Sequence, residues 1–181
     1  MGDVSDQRTG NRRIDRIRDD AYTRDLDGLS LDDLRARRDD CLAEREYLSL
    51  LRRLVQGRAE ILRAELDARE AGEDRGPLVD RLAQILAGDE QAGGSRGEAV
   101  RVGVPEEEML LARRRIERLV ADAGISDPAS LDDDKLAAAV DLLATEEREV
   151  SGARADVIRV LDILQDELKR RYREDPTLVL S

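Results

Sequence analysis

Residues 34–62 read LRARRDDCLAEREYLSLLRRLVQGRAEIL, and residues 136–164 read LAAAVDLLATEEREVSGARADVIRVLDIL. The first stretch carries Leu34, Cys41, Leu48, Val55 and Leu62; the second carries Leu136, Leu143, Val150, Val157 and Leu164. Five apolar residues in succession at a spacing of seven make a coiled-coil seam, because a heptad keeps one helix face on its partner over many turns. The two stretches lie 102 residues apart, and the same offset relates their surroundings. Arg12-Arg13-Ile14-Asp15-Arg16-Ile17 returns as Arg114-Arg115-Ile116-Glu117-Arg118-Leu119, Ser49 and Arg52 return as Ser151 and Arg154, and Glu65-Leu66 returns as Glu167-Leu168. The chain is thus internally duplicated, and its halves can face one another across an approximate two-fold axis.

Outward from the seams, Ser30-Leu31-Asp32-Asp33 and Ser130-Leu131-Asp132-Asp133 read as helix starts. The Ser caps free amides, and the acids sit at the positive end of the dipole. Long helices are predicted over about 31–71 and 131–173, each roughly 60 Å long. Gly72 and Pro176 supply the stops. Leu51, Leu54, Ile61, Val160 and Leu161 broaden each apolar stripe, so each long helix meets more than one neighbour. Cys41 occupies a seam slot and reads as a small core hydrophobe. Short helices are expected over 11–21, 77–87 and 105–123, with a Gly-rich polar loop over 88–104. The predicted organisation is a disordered start (1–10), repeat 1 (11–71), an insertion of short helix and loop (72–104), repeat 2 (105–174) and a tail (175–181). The apolar Thr177-Leu178-Val179-Leu180 reads as a loosely packed end. The fold class is all-α: a long antiparallel coiled-coil hairpin with additional short helices.

Composition agrees with that class and excludes several functions. Of the 181 residues, 40% are charged and 2% aromatic; Phe, Trp and His are absent. The net charge of −11 argues against direct DNA binding or docking on an anionic membrane, and favours a basic protein as partner. One Cys excludes an internal disulfide, and no signal peptide or membrane-spanning run is visible, so the expectation is a cytoplasmic protein. Without His, and with one Cys and two Met, there is no soft-metal site and no Cys/His nucleophile. No Gly-rich phosphate loop occurs, and Asp132-Asp133-Asp134 reads as a solvated cap. The chain reads as a non-enzyme.

A polar stripe flanks each seam. Arg45, Ser49, Arg52, Gln56 and Glu60 follow one another at steps of 4, 3, 4 and 4, which keeps them on one narrow face over about four turns. Their counterparts are Glu147, Ser151, Arg154, Ile158 and Asp162. With Leu48 and Val150 at heptad position a, Arg52 and Arg154 fall at e. In a parallel pair e faces g, and the stripes diverge; in an antiparallel pair e faces e, and both stripes line one groove. Arg offers a flat cation and two parallel donors for a phosphate or a guanine edge. Carboxylates accept from guanine's N1–H and N2–H₂, and Ser and Gln supply further hydrogen bonds. The doubled set suits a two-fold-symmetric guanine dinucleotide. Alternating Arg and Glu on a flank is also what a solvated coiled coil carries.

The stripe resembles that of the RsiG anti-σ factors of sporulating actinobacteria, whose motif Glu-x3-Ser-x2-Arg-x3-Gln-x3-Asp occurs on each helix of an antiparallel coiled coil. Here Arg45 stands in a Glu slot, Glu60 in an Asp slot and Ile158 in a Gln slot. The resemblance covers both long helices and leaves 1–28 and 72–125 aside. It implies that the chain binds cyclic di-GMP, as two intercalated molecules, through Arg45, Ser49, Arg52, Gln56, Glu60, Glu147, Ser151, Arg154 and Asp162. It also implies that the loaded protein, a monomer before complex formation, sequesters a WhiG-like flagellar or sporulation σ factor. Arg45 is then expected on a phosphate, and Ile158 in packing only. The alternative expectation is a ligand-independent coiled-coil adaptor for protein–protein interaction.

Overall fold

The computed structural model describes residues 12–71, 105–125 and 128–179. These are all-α: α1 Arg13–Arg18, α2 Leu31–Glu70, α3 Glu106–Asp122 and α4 Asp133–Glu174. Short 3-10 turns stand at Asp20–Tyr22, Leu26–Gly28, Pro128–Ser130 and Pro176–Val179, and no strand occurs among the described residues. The expectations for 1–10, for the 77–87 helix, for the 88–104 loop and for the stop at Gly72 fall on residues outside that range.

The helix predicted over 11–21 is broken. Asp19 is extended, and its carboxylate accepts the N–H of Ala21 at 2.8 Å. A short acidic side chain that bonds nearby backbone offers an alternative to the helical ladder, so α1 stops at Arg18 and a 3-10 turn follows. α3 closes differently. Gly124 sits at φ +67, its N–H reaches the carbonyl of Ala121 at 3.0 Å, and the N–H of Ile125 reaches that of Val120 at 3.0 Å. This is a Schellman ending, for which glycine tolerates the left-handed backbone and the buried Ile125 seals the turn.

The caps of the long helices correct one expectation. Ser30 Oγ accepts the N–H of Asp33 at 3.0 Å and caps α2 as predicted. At α4 the cap is Asp132, whose carboxylate accepts the N–H of Lys135 at 2.9 Å, while Ser130 lies in the preceding turn. Ser130 matches Ser30 at an offset of 100, but the structural repeat is 102, which places Asp132 opposite Ser30. Hydrogen bonds from Lys135, side chain first and then backbone, hold the Asp132 carboxyl below its usual range.

All ten seam residues are buried at 3% exposure or less. Leu51 and Leu161 are buried beside them, and Leu54, Ile61 and Val160 are half-buried. The chain divides into two compact units. A terminal unit joins the residues up to Ser49 with those from Glu149 onward, and a central unit comprises Leu50–Arg148. Within each, α2 and α4 run antiparallel. In the terminal unit Arg35 meets Tyr172 and Ser49 meets Arg154; in the central unit Arg52 meets Glu147 and Arg69 meets Asp133. Each unit therefore draws on both sequence repeats. The tail is tied down further than expected, since Arg35 Nη2 donates to the carbonyl of Leu178 at 2.8 Å.

Candidate functional site

In the terminal unit, helical spacing puts Arg45 and Ser49 one turn apart on α2. Ser49 Oγ donates to the carbonyl of Arg45 at 2.7 Å and accepts from Arg154 Nε at 2.9 Å. The Arg45 guanidinium turns to its neighbour Glu46, with Nη2–Oε1 at 2.7 Å. Arg154 is half-buried, and its one hydrogen bond among the described residues is to a neutral hydroxyl. Ser151 and Ile158 are half-buried. Asp162 is exposed and has no polar partner among the described residues.

In the central unit, Arg52 Nε donates to Glu147 Oε1 at 2.8 Å, and Gln56 Nε2 approaches the same oxygen at 3.3 Å. The pair is partly screened by water, with side-chain exposures of 42% and 26%. Glu60, which occupies the slot of Asp162 in the other copy, is likewise exposed and without a polar partner among the described residues.

The offset of 102 maps the pair Arg52–Glu147 onto Arg154–Arg45. Where Arg52 finds a carboxylate, Arg154 finds another arginine, and it takes the hydroxyl of Ser49 instead. The structure thus joins residues of opposite copies, Arg52 and Gln56 with Glu147, and Ser49 with Arg154. It leaves Glu60 and Asp162 without a polar partner among the described residues.

Two duplicated polar contacts escaped the sequence reading. Arg13 bonds Glu44 at 2.7 Å and Arg115 bonds Glu146 at 2.8 Å, pinning α1 to α2 and α3 to α4. Glu44 is buried, so the arginine satisfies a carboxylate that would otherwise be costly. Arg171 and Arg69 form the second pair and clasp the turns ahead of α2 and α4. The repeat of Arg12-Arg13 at Arg114-Arg115 signalled the first, and the repeat of Glu65-Leu66 at Glu167-Leu168 runs beside the second.

A separate cleft of about 470 Å³ opens in the terminal unit beside Arg16, Tyr22, Asp33, Arg37 and Asp40. None of the stripe residues lines it. Asp33 accepts from Ser30 Oγ at 2.6 Å, and the other four pair among themselves. Tyr22 OH donates to the carbonyl of Arg37 at 3.2 Å, the Arg37 guanidinium lies over the Tyr22 ring at 5.2 Å, and Arg16 approaches Asp40 at 3.6 Å. Burial raises the Tyr22 phenol and pushes the Cys41 thiol up to about 12, so Cys41 is an inert core residue. No group of three or more His, Cys, Asp or Glu among the described residues is placed to hold a metal ion, and no helix among them is long and apolar enough to cross a membrane.

Fold and stripe together define an all-α protein whose paired long helices present a doubled set of arginines, small hydrogen-bonding groups and acids. Residues 20–86 match the model of the RsiG family, described as RsiG-like. The likeness to that family covers less than half of the chain, from the turn at Asp20 through α2 and beyond it. The matched stretch contains Arg45, Ser49, Arg52, Gln56 and Glu60 and ends ahead of the second copy of the stripe. No curated protein matches the chain.

Proposed function

We propose that this protein is a cyclic di-GMP-dependent anti-σ factor, which holds a WhiG-like sporulation σ factor in the cytoplasm when the nucleotide is bound. The supporting observation is Arg154, a half-buried guanidinium spent on one neutral hydroxyl. Its remaining donors suit a phosphate, to which arginine forms paired, charge-assisted hydrogen bonds. The unengaged Glu60 and Asp162 supply acceptors for guanine edges at the same slot of each copy. Glu147 is a third acceptor, and Gln56 stands beside it. Ser49 and Ser151 fix register, Arg45 serves a phosphate, and Ile158 packs. Two ligand molecules bring four phosphate charges, which Arg52 and Arg154 offset in part. The net charge of −11 attracts a basic σ factor and speeds the encounter.

Ligand binding then acts by ordering the stripe or completing the partner surface. The ligand-independent adaptor draws support from one observation: Arg52 and Glu147 already satisfy each other. Isothermal titration separates the two readings. Cyclic di-GMP is expected to bind near two molecules per chain, with cyclic di-AMP inert as control. Arg154→Glu is expected to abolish binding with helicity intact. Normal binding by Arg154→Glu removes the site assignment, and σ-factor capture that ignores the nucleotide selects the adaptor.

A further inference from the structure

We propose that the two copies of the stripe are unequal, and that the terminal unit's Arg154 takes the first phosphate group. The inference rests on the nucleotide reading for the identity of the ligand, but not for the order in which the arginines are engaged. It comes from the substitution pattern. The repeat places Arg45 where Glu147 stands in the other copy. Arg154 Nε therefore bonds Ser49 Oγ at 2.9 Å, and the Arg45 cation is diverted to the adjacent Glu46. Arg52 Nε meets Glu147 Oε1 at 2.8 Å.

The consequence is electrostatic. A phosphate arriving at Arg154 meets a cation whose terminal N–H groups have no acceptor among the described residues. It displaces no carboxylate, and the Arg45 backbone already holds Ser49 in place. A phosphate arriving at Arg52 meets a pair of zero net charge and must share the guanidinium with Glu147 or expel it. The ion pair is partly exposed, so its competition lowers phosphate affinity by about fivefold, the size of a screened surface pair. The arginine of the terminal unit is thus open, and that of the central unit is closed by its own carboxylate.

The test reads arginine Nε–Hε signals by NMR on the full chain, with Arg154 and Arg52 assigned from their Lys variants. Inorganic pyrophosphate and cyclic di-GMP are titrated separately. The Arg154 signal is expected to saturate at about fivefold lower pyrophosphate than the Arg52 signal. Arg45→Glu, which restores the carboxylate, is expected to erase that lead, and Glu147→Gln to bring Arg52 level with Arg154. Circular dichroism checks that both variants keep their helices. Equal movement, an Arg52 lead, a lead that survives Arg45→Glu, or movement at neither arginine with either probe overturns the inference. A lead with pyrophosphate and no response to cyclic di-GMP leaves the inference standing and removes the nucleotide reading.

Discussion

In the terminal unit Arg171 reaches the carbonyls of Leu26 at 2.6 Å and Leu29 at 2.8 Å, and its Nε bonds Glu167 at 2.7 Å. In the central unit Arg69 reaches those of Pro128 at 3.0 Å and Leu131 at 2.6 Å, and its Nε bonds Glu65 at 2.9 Å. These partners are displaced by the same 102 residues, and Arg69 adds a second carboxylate, Asp133 at 2.9 Å, where the other repeat has Leu31. The Arg13–Glu44 and Arg115–Glu146 contacts repeat in the same way. Along the stripe the repetition fails, since Arg52 holds a carboxylate and Arg154 a hydroxyl. Contacts that fix the turns and the short helices are thus kept in duplicate, while the flank of the coiled coil has diverged. Duplication constrains both alike at the start, so the difference marks where the two units have diverged.

The strongest way to break this comparison is through the core. Leu34 and Leu136 are equivalent, and each is fully buried. Truncating either to Ala removes buried methyl groups and leaves a cavity, with a loss of about 2–5 kcal/mol. Leu34→Ala and Leu136→Ala are expected to lower stability by similar amounts in chemical denaturation. A loss confined to one variant shows that the units do not share the load that their sequences imply.

The clasps come next. Arg171 and Arg69 have 14% and 11% side-chain exposure; Arg171 spends its fork on one carboxylate and Arg69 on two, and each also bonds several backbone carbonyls. Arg171→Ala and Arg69→Ala are each expected to lower the melting temperature by several degrees, less than the core truncations. Lys at either position is expected to recover little, because one ammonium cannot span acceptors that a planar guanidinium bridges. Full rescue by Lys would reduce the clasp to a point charge.

Much of this architecture was legible in the chain, and the parts that were not have physical causes. The seams announced themselves because a period of seven is a one-dimensional signal, and all ten residues are buried. The spacing of Arg45, Ser49, Arg52, Gln56 and Glu60 fixed their common face on α2 for the same reason. The α4 cap at Asp132 is hidden in the sequence because Ser-Leu-Asp-Asp recurs at 100 rather than 102, and both Ser and Asp cap well. The break at Asp19 turned on one side chain bonding Ala21, which helical periodicity does not encode. The clasps depend on carbonyls contributed by the other repeat, so no local pattern reveals them. The departure at Arg45 was visible in the sequence. Its effect on Arg154 appears only once Ser49 and Arg154 are brought together.

The smallest expected effect tests a difference inside the clasps. Glu167 accepts from both Arg170 and Arg171, whereas Glu65 has Arg69, with Ala68 standing where Arg170 would be. Hydrogen bonds from Arg170 first, and then from Arg171, hold the Glu167 carboxyl down to about 2 against the opposing effect of burial. A carboxyl whose folded value lies below its ordinary 4.5 stabilises the fold fully above that ordinary value, and the contribution is lost as pH falls toward 2. Wild-type stability is therefore expected to decline through this window more steeply than that of Glu167→Gln, which has no proton to gain there. Arg170→Ala is expected to narrow the window by raising the Glu167 value toward the ordinary one. Denaturation midpoints measured across the window decide the matter. Parallel decline in wild type and Glu167→Gln shows that the arginines of the terminal clasp do not depress the carboxyl.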